Sequence, residues 1–214
     1  MSKRIVESHQ EESFSGLDNA RQYAESAGKS MMRYKAFLNS LKSLKLVGRY
    51  LEIGAGPGVL TTEVARIHTG VDITAVELSR DMATVGKEYV AKNGFDDRIK
   101  FVVGDAEDEA LIHSMGKFDL VYCTYTLHHW NDPEKAIVNL AGKVADNGIL
   151  YLYDLKRVWW LYWVPVRNGF FNSIRASYVP IEVKLMLEKL GFDNFNIKNE
   201  FPFMQSIFIR KSSI

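Results

Sequence analysis

Residues 50–60 read Tyr50-Leu-Glu-Ile-Gly-Ala-Gly-Pro-Gly-Val-Leu60. A short apolar strand here runs into a glycine-dense turn and then into a helix that begins near Val59, and such a turn lets a ligand approach the backbone. Dinucleotide-binding turns follow the pattern G-x-G-x-x-G, which would require glycine at position 59. Because the chain has Gly54, Gly56 and Gly58 instead, its spacing departs from the dinucleotide pattern.

Composition narrows the class of protein. The 214 residues fit one globular domain, and 47% hydrophobic residues supply a sizeable core. The net charge is +1, and no run of Lys and Arg is long enough to form a basic surface for nucleic acid, so we expect no nucleic-acid partner. The single cysteine, Cys123, excludes an internal disulfide framework and is typical of a reducing compartment. The longest apolar run, Val158 to Val166, is too short for a membrane span, and we therefore expect a cytoplasmic protein.

Strand-like and helix-like segments alternate from the first strand onward. The predicted strands are Arg49–Ile53, Asp72–Val76, Ile99–Val103, Phe118–Cys123 and Ile149–Tyr153. The predicted helices between them are Val59–Ile67, Arg80–Asn93, Glu107–Ser114 and Pro133–Val144, the last of which stops near Gly148. Apolar strands separated by helices form a mainly parallel sheet that is covered on both faces, and ligands gather at the carboxyl ends of such strands.

The N-terminal 47 residues predict an arm and a helical cap. Residues 1–16 are polar and show no periodicity, which favours a flexible or loosely docked arm. From Asp18 to Leu44 apolar residues recur at spacings of three and four, so we predict one amphipathic helix, or two with a break near Gly28. We expect this cap and a larger domain of residues 48–214 to form one globular unit.

The character of the sequence changes after the fifth strand. Residues 156–179 hold three of the four tryptophans and predict a lid, in which Pro165 and Gly169 interrupt any helix. The remaining predicted elements are a helix over Ile181–Leu190 and an antiparallel hairpin of Phe195–Lys198 and Phe203–Arg210.

Four strand ends carry polar motifs. Glu52 precedes the glycines, Glu77 ends the second strand, Asp105 follows the third, and His128-His-Trp follows the fourth. Together they resemble the class I S-adenosylmethionine-dependent methyltransferases, and in particular the small type 11 branch. The resemblance implies an α/β fold with a Rossmann-like, doubly wound sheet of seven strands. In that fold the sheet is mostly parallel with an antiparallel C-terminal strand, and helices cover both faces.

The resemblance also implies a cofactor, S-adenosylmethionine, and its product S-adenosylhomocysteine. Glu77 would accept hydrogen bonds from two ribose hydroxyls, and Asp105 would accept from the adenine amine while the Ala106 amide donates to the ring. Asp105 as a helix N-cap stays open beside that role. Glu52 would orient the glycine turn through backbone amides. The candidate cofactor-binding residues are Glu52, Gly54, Ala55, Gly56, Gly58, Glu77, Leu78, Met82, Asp105, Ala106, Cys123 and Thr124, with core packing as the alternative for Leu78 and Met82.

Three residues are candidates for catalysis: His128, His129 and Asp154. One imidazole would act as a general base toward the acceptor, since it titrates near working pH. A packing and cofactor-shell role is the alternative, because paired histidines recur across the branch whatever the substrate. Adjacent histidines point apart, so we predict no metal site. Asp154 ends the fifth strand and would orient the acceptor or act as a base.

Acceptor specificity is expected outside the sheet. The candidate substrate-binding residues are Tyr23, Trp159, Trp160, Trp163 and Arg175. The tryptophans would provide aromatic walls and Arg175, with Arg167, a cation for an anionic group. For the tryptophan segment, a homodimer contact or a weak membrane-surface contact stays open as the alternative.

These features predict a methyltransferase that transfers a methyl group from S-adenosylmethionine to a small-molecule acceptor. The sulfonium already carries a reactive methyl, so the protein must align the acceptor, exclude water and remove a proton where needed. Two alternatives are a nicotinamide-dependent oxidoreductase, which Val59 disfavours, and a non-catalytic cofactor-binding regulatory module.

Overall fold

A seven-stranded sheet forms the centre of the computed structural model, which describes residues 4, 16–29, 31–163 and 169–211. Its strands are β1 (Gly48–Ile53), β2 (Val71–Glu77), β3 (Ile99–Val103), β4 (Phe118–Thr124), β5 (Val144–Leu155), β6 (Phe195–Glu200) and β7 (Met204–Arg210). The strand order is β3-β2-β1-β4-β5-β7-β6. Strands β1 to β5 pair in parallel, and β7 is antiparallel to both β5 and β6. The predicted mostly parallel sheet with an antiparallel C-terminal strand is confirmed.

Eight α-helices connect or flank these strands among the described residues. They are α1 (Leu17–Lys29), α2 (Lys35–Leu44), α3 (Val59–Ile67), α4 (Arg80–Lys92), α5 (Glu109–Ser114), α6 (Pro133–Ala141), α7 (Gly169–Ala176) and α8 (Pro180–Lys189). The side chains of Ser79, Asp108 and Asp132 cap the N-termini of α4, α5 and α6. Asp108 rather than Asp105 therefore caps the helix after β3. The alternative of two N-terminal helices is confirmed, with a 3₁₀ turn at Met31–Tyr34 between them.

Alternating side chains of each strand bury the two faces of the sheet. On one face, Tyr122 and Tyr151 lie against Phe37 of α2, and the Phe37 and Tyr151 rings stack with centroids 5.2 Å apart. On the other face, Leu152 belongs to a cluster with Ile137 of α6. Helices therefore cover both faces, as predicted.

Helix α1 packs against other helices. Its buried alanines, Ala20 and Ala24, lie in one cluster with Val59 of α3 and Met82 of α4. Small side chains let helices approach closely, so α1 covers the start of both helices that follow the first two strands. The division between a cap of residues 1–47 and a larger domain stays a prediction.

The predicted boundary between α6 and β5 was wrong. Helix α6 ends at Ala141 and β5 already begins at Val144, which pairs with Phe118 of β4. The pairing then shifts register, and a Cβ on Gly148 would lie only 2.8 Å from the Asp119 carbonyl oxygen. The strand thus continues through an irregularity that requires glycine, whereas the sequence pattern indicated a helix stop.

The lid contains more regular structure than expected. A 3₁₀ turn covers Trp159–Trp163, and Gly169 is the first residue of α7. Pro165 and Arg167 lie outside the described residues. Within the described part of the chain, no helix combines the length and apolarity that a membrane crossing requires.

Candidate active site

The glycine turn leaves β1 at the point where the strand order reverses. The amides of Gly54 and Ala55 both donate to the Val76 carbonyl, at 2.9 and 3.1 Å, so the turn bends over the end of β2. Gly54 has a φ of 72°, and a Cβ there would lie 2.3 Å from Cγ2 of Thr126, in the loop after β4. A Cβ on Gly56 would meet no atom within 4 Å. The turn is therefore closed toward β4 and open above Gly56, where a ligand can approach the backbone.

Glu77 faces this turn from the end of β2. Its Oε2 accepts a hydrogen bond from the Gly56 amide at 2.7 Å, and its Oε1 accepts one from the Ser79 amide at 2.9 Å. Burial raises the pKa of this carboxyl, while the two amide bonds oppose that shift. Each oxygen keeps further acceptor capacity, so the fixed carboxylate can also accept from a pair of hydroxyls. Its hydrogen bond to the turn was not anticipated from the sequence.

The next strand end presents Asp105. Its Oδ1 accepts from the Glu107 amide at 2.8 Å, and its Oδ2 has no hydrogen bond within the described residues. Ala106 is buried behind it. Of the two apolar candidates nearby, Leu78 is 65% exposed, whereas Met82 is buried in the helix cluster around α1. Leu78 is thus accessible to a ligand, and Met82 packs in the core.

Glu52 has a different environment from the one expected. The three turn amides at positions 54, 55 and 56 donate to Val76 and Glu77, so Glu52 does not orient the turn through them. Instead, the buried Glu52 carboxyl accepts a hydrogen bond from the Tyr122 hydroxyl at 2.9 Å. Burial raises its pKa from 4.5 to about 7, although the bond from Tyr122 acts in the opposite direction. The expectation that Glu52 orients the turn was wrong, because Val76 and Glu77 of the neighbouring strand already accept from these amides.

Glu52 is expected to make the protein less stable as the pH rises. Because its pKa is raised in the folded state, its stabilising contribution is complete below about 4.5 and is lost as the pH approaches about 7. We expect Glu52→Gln to be more stable than the parent by about 1–2 kcal/mol at about pH 8, with little difference at about pH 5. Chemical denaturation at both pH values measures this difference.

The matched control is Glu88→Gln, which removes an exposed carboxylate from α4. It should leave the pH dependence of the free energy of unfolding unchanged. If both variants reduced the pH dependence of the free energy of unfolding equally, burial of Glu52 would not be the cause of that dependence.

His128 and Asp154 form a buried pair. Nδ1 of His128 lies 2.7 Å from Oδ1 of Asp154, and the His128 backbone amide donates to Oδ2 at 3.1 Å. With Asp154 as a carboxylate, which can only accept, Nδ1 of His128 is the donor in this contact. The two side chains are 1% and 0% exposed. Asp154 therefore holds the turn after β4 through both the ring and the backbone amide of His128. This arrangement favours a positioning role for the pair over contact with an acceptor.

The neighbouring candidates differ in accessibility. The His129 ring lies 3.9 Å from the His128 ring and is partly exposed, so His129 is the more accessible imidazole. Cys123 is fully buried within β4, and burial raises the pKa of its thiol. Thr124 ends β4 and is 8% exposed. A buried neutral thiol is a poor nucleophile.

Arg4 was missed by the sequence reasoning. Its Nη2 donates to the His128 carbonyl at 3.1 Å, its Nε donates to the Ala176 carbonyl, and its guanidinium lies 4.2 Å from the centroid of the Tyr178 ring. It thereby links the histidine turn to the end of α7. No local pattern marks such a residue, because Arg4 lies in a polar segment without periodicity.

The predicted substrate residues do not converge. Trp159, Trp160 and Trp163 are 72%, 43% and 82% exposed. Arg175 is buried and donates to the Leu161 carbonyl at 3.1 Å, so it ties α7 to the preceding 3₁₀ turn. Tyr23 packs against the cluster formed by α1 with α3 and α4.

A cavity of about 680 Å³ lies between the turn before α2, the first part of α2, the ends of β4 and β5, the start of α7, and the turn between β6 and β7. Its lining residues are Met32, Arg33, Lys35, Ala36, Asn39, Tyr125, Tyr153, Phe170, Phe201, Pro202, Phe203 and Met204. None of the five predicted substrate residues is among them. Among the described residues, no group of three His, Cys, Asp or Glu side chains could hold a metal ion.

A family model described as a methyltransferase domain matches residues 51–152. The matched segment runs from β1 into β5 and includes the glycine turn, Glu77 and Asp105. This stretch, slightly under half of the chain, is similar to a methyltransferase domain. Its cofactor would be a sulfonium-bearing nucleoside, and the residues fit this group: the open backbone at Gly56 and the fixed acceptors of Glu77 and Asp105 suit an amino-acid portion, a ribose and an adenine amine.

Curated O-methyltransferases are similar to about half of this chain. The ubiquinone biosynthesis O-methyltransferase of Xanthomonas euvesicatoria pv. vesicatoria is 32% identical over 115 residues, which cover 53% of this chain and 46% of that protein. The chain thus spans less than half of that relative, and it spans only 25% of a second curated relative, a Synechococcus protein that is 35% identical over 105 residues.

Two solved structures show the shared fold. An O-methyltransferase family protein from Burkholderia thailandensis superposes with a TM-score of 0.77 at 12% identity, covering 100% of this chain and 66% of that one. The plantazolicin methyltransferase, solved in complex with S-adenosylhomocysteine, gives 0.73 at 14% identity and covers 91% and 90% of the two chains.

Proposed function

We propose that the chain transfers a methyl group from S-adenosylmethionine to a small-molecule acceptor. The observation that carries this proposal is the position of Glu77, which two backbone amides fix beside a glycine turn with an open face at Gly56. Asp105, on the adjoining strand end, has one carboxylate oxygen with no hydrogen bond in the described structure. The names of the curated O-methyltransferase relatives support the same reading.

Each part of the site has a separate task in this proposal. Glu77 accepts from the ribose hydroxyls, Asp105 accepts from the adenine amine, and the Ala106 amide donates to the ring. The cofactor supplies an electrophilic methyl group when bound. The His128–Asp154 pair holds the turn after β4, and the more accessible His129 is the imidazole that we assign to proton removal.

Calorimetry of S-adenosylhomocysteine binding tests the proposal. We expect saturable binding with a dissociation constant in the micromolar range, where about 8 kcal/mol of binding free energy is gained. NAD, titrated under the same conditions, should give no heat of binding. Binding of NAD but not of S-adenosylhomocysteine would favour the oxidoreductase alternative and overturn the proposal.

We also propose a cytoplasmic location, which the single, buried cysteine supports. The exposed rings of Trp159, Trp160 and Trp163 support a further contact of the lid, either in a homodimer or at a membrane surface. Light scattering and sedimentation with vesicles distinguish these two contacts.

A further inference from the structure

We propose that the 680 Å³ cavity is the acceptor site and that it takes a planar aromatic ring carrying an anionic group. The inference rests on the proposed function, because it names the class of molecule that would be methylated. It moves the acceptor site from the lid tryptophans to a cavity that is lined by residues from 32–39, the ends of β4 and β5, Phe170 of the lid, and the turn between β6 and β7.

The cavity adjoins the cofactor crevice. Tyr125 directly follows β4, and its amide donates to the Tyr153 carbonyl at 2.9 Å, so both rings stand at the carboxyl ends of neighbouring strands. The next residue, Thr126, is the one whose methyl group lies against Gly54. Methyl transfer requires the acceptor and the sulfonium to meet at this edge of the sheet. A molecule beside Tyr125 is thus one residue away from the loop that closes the glycine turn.

Aromatic side chains shape the cavity. The Tyr125 ring meets the Tyr153 ring edge to face, with centroids 6.0 Å apart. Two other rings of the lining, those of Phe170 and Phe203, have centroids 5.4 Å apart and planes at an angle of 74°. Aromatic rings favour edge-to-face and offset contacts with another ring, so these walls suit a flat, unsaturated ligand better than a saturated one.

The charges of the lining have one sign. Arg33 and Lys35 are both exposed at the cavity, and the lining contains no carboxylate. Neither cation forms a salt bridge within the described residues. Burial raises the pKa of Tyr125 and brings that of Tyr153 to about 12, so the phenols stay neutral at working pH. The cavity thus offers two positive charges to an anionic substituent.

Three apolar side chains of the lining are exposed. Phe201 is 96% exposed, Met32 80% and Phe170 45%, and the three come from different elements. A ligand between them would remove part of this apolar surface from water. The volume lies within the range of about 300–1,000 Å³ that is usual for small-molecule sites.

Calorimetry with three probes tests the inference on protein saturated with S-adenosylhomocysteine at low salt. The probes are 2-naphthoate, its neutral isostere 2-naphthamide, and cyclohexanecarboxylate, which keeps the anion without the aromatic ring. We expect 2-naphthoate to bind about fivefold more tightly than 2-naphthamide. Cyclohexanecarboxylate should bind more weakly than either.

The double variant Arg33→Gln/Lys35→Gln should weaken binding of 2-naphthoate and leave binding of 2-naphthamide unchanged, so that the two affinities become equal. Lys42→Gln, which removes an exposed cation from α2 outside the cavity, should preserve the difference. The inference would be overturned if the parent bound 2-naphthoate and 2-naphthamide equally tightly, or if the double variant still preferred 2-naphthoate. It would also be overturned if cyclohexanecarboxylate bound as tightly as 2-naphthoate. If S-adenosylhomocysteine binds and no naphthalene probe does, the inference fails alone; if S-adenosylhomocysteine does not bind, the proposed function itself fails.

Discussion

Asp154→Ala is expected to lower the free energy of unfolding by about 3–5 kcal/mol, because removing one member of a buried, hydrogen-bonded pair leaves its partner unsatisfied. Asp154 accepts from both the ring and the backbone amide of His128, and water cannot replace it at a site where both side chains are at most 1% exposed. Denaturant titration followed by circular dichroism measures the loss.

Two further variants separate this effect from a general loss of charge. Asp154→Asn keeps one acceptor oxygen and should lose about half as much stability. Asp146→Ala removes an exposed aspartate from the same strand and should leave the free energy of unfolding essentially unchanged. A loss in Asp154→Ala no larger than that in Asp146→Ala would contradict the assigned role of the pair.

Glu77→Ala is expected to weaken binding of S-adenosylhomocysteine by about 1.5–3 kcal/mol, which corresponds to a tenfold or greater increase in the dissociation constant. The variant loses the proposed acceptor for the ribose hydroxyls and also releases the Gly56 amide that Glu77 fixes. Both losses act on the same ligand, and calorimetry on the folded variant measures their sum.

The control for this prediction is Asp72→Ala, since Asp72 is an exposed carboxylate on the same strand, away from the turn. Its dissociation constant should equal that of the parent. Glu77→Gln, which can still accept hydrogen bonds but carries no charge, should fall between the parent and Glu77→Ala. A folded Glu77→Ala protein with parental affinity would remove Glu77 from the cofactor site.

The order of strands and helices could be predicted because its signals are local. Apolar runs, turn glycines and the carboxylates at the first three strand ends all lie within a few residues of the element that they define. The start of β5 was missed for the opposite reason. The strand continues through Gly148 because of its close approach to Asp119, some thirty positions earlier in the chain, and no local pattern records that approach.

The candidate site divides in the same way. Glu77 and Asp105 were singled out from their own strand ends, but the partner of Glu52 was not, because Tyr122 comes from a different strand. Arg4 and the acceptor cavity depend on segments that are distant in sequence. Their contacts follow from the packing of the whole chain, which neither periodicity nor motif spacing encodes.

The position of the cavity has a consequence for how such a protein can diversify. Of its twelve lining residues, only Tyr125 falls within the matched segment of residues 51–152. The others come from the flanking sequence, including the segment before α2 and the turn between β6 and β7. If the cavity holds the acceptor as proposed, changes in those flanks would alter the choice of acceptor and leave the residues proposed to hold the nucleoside unchanged.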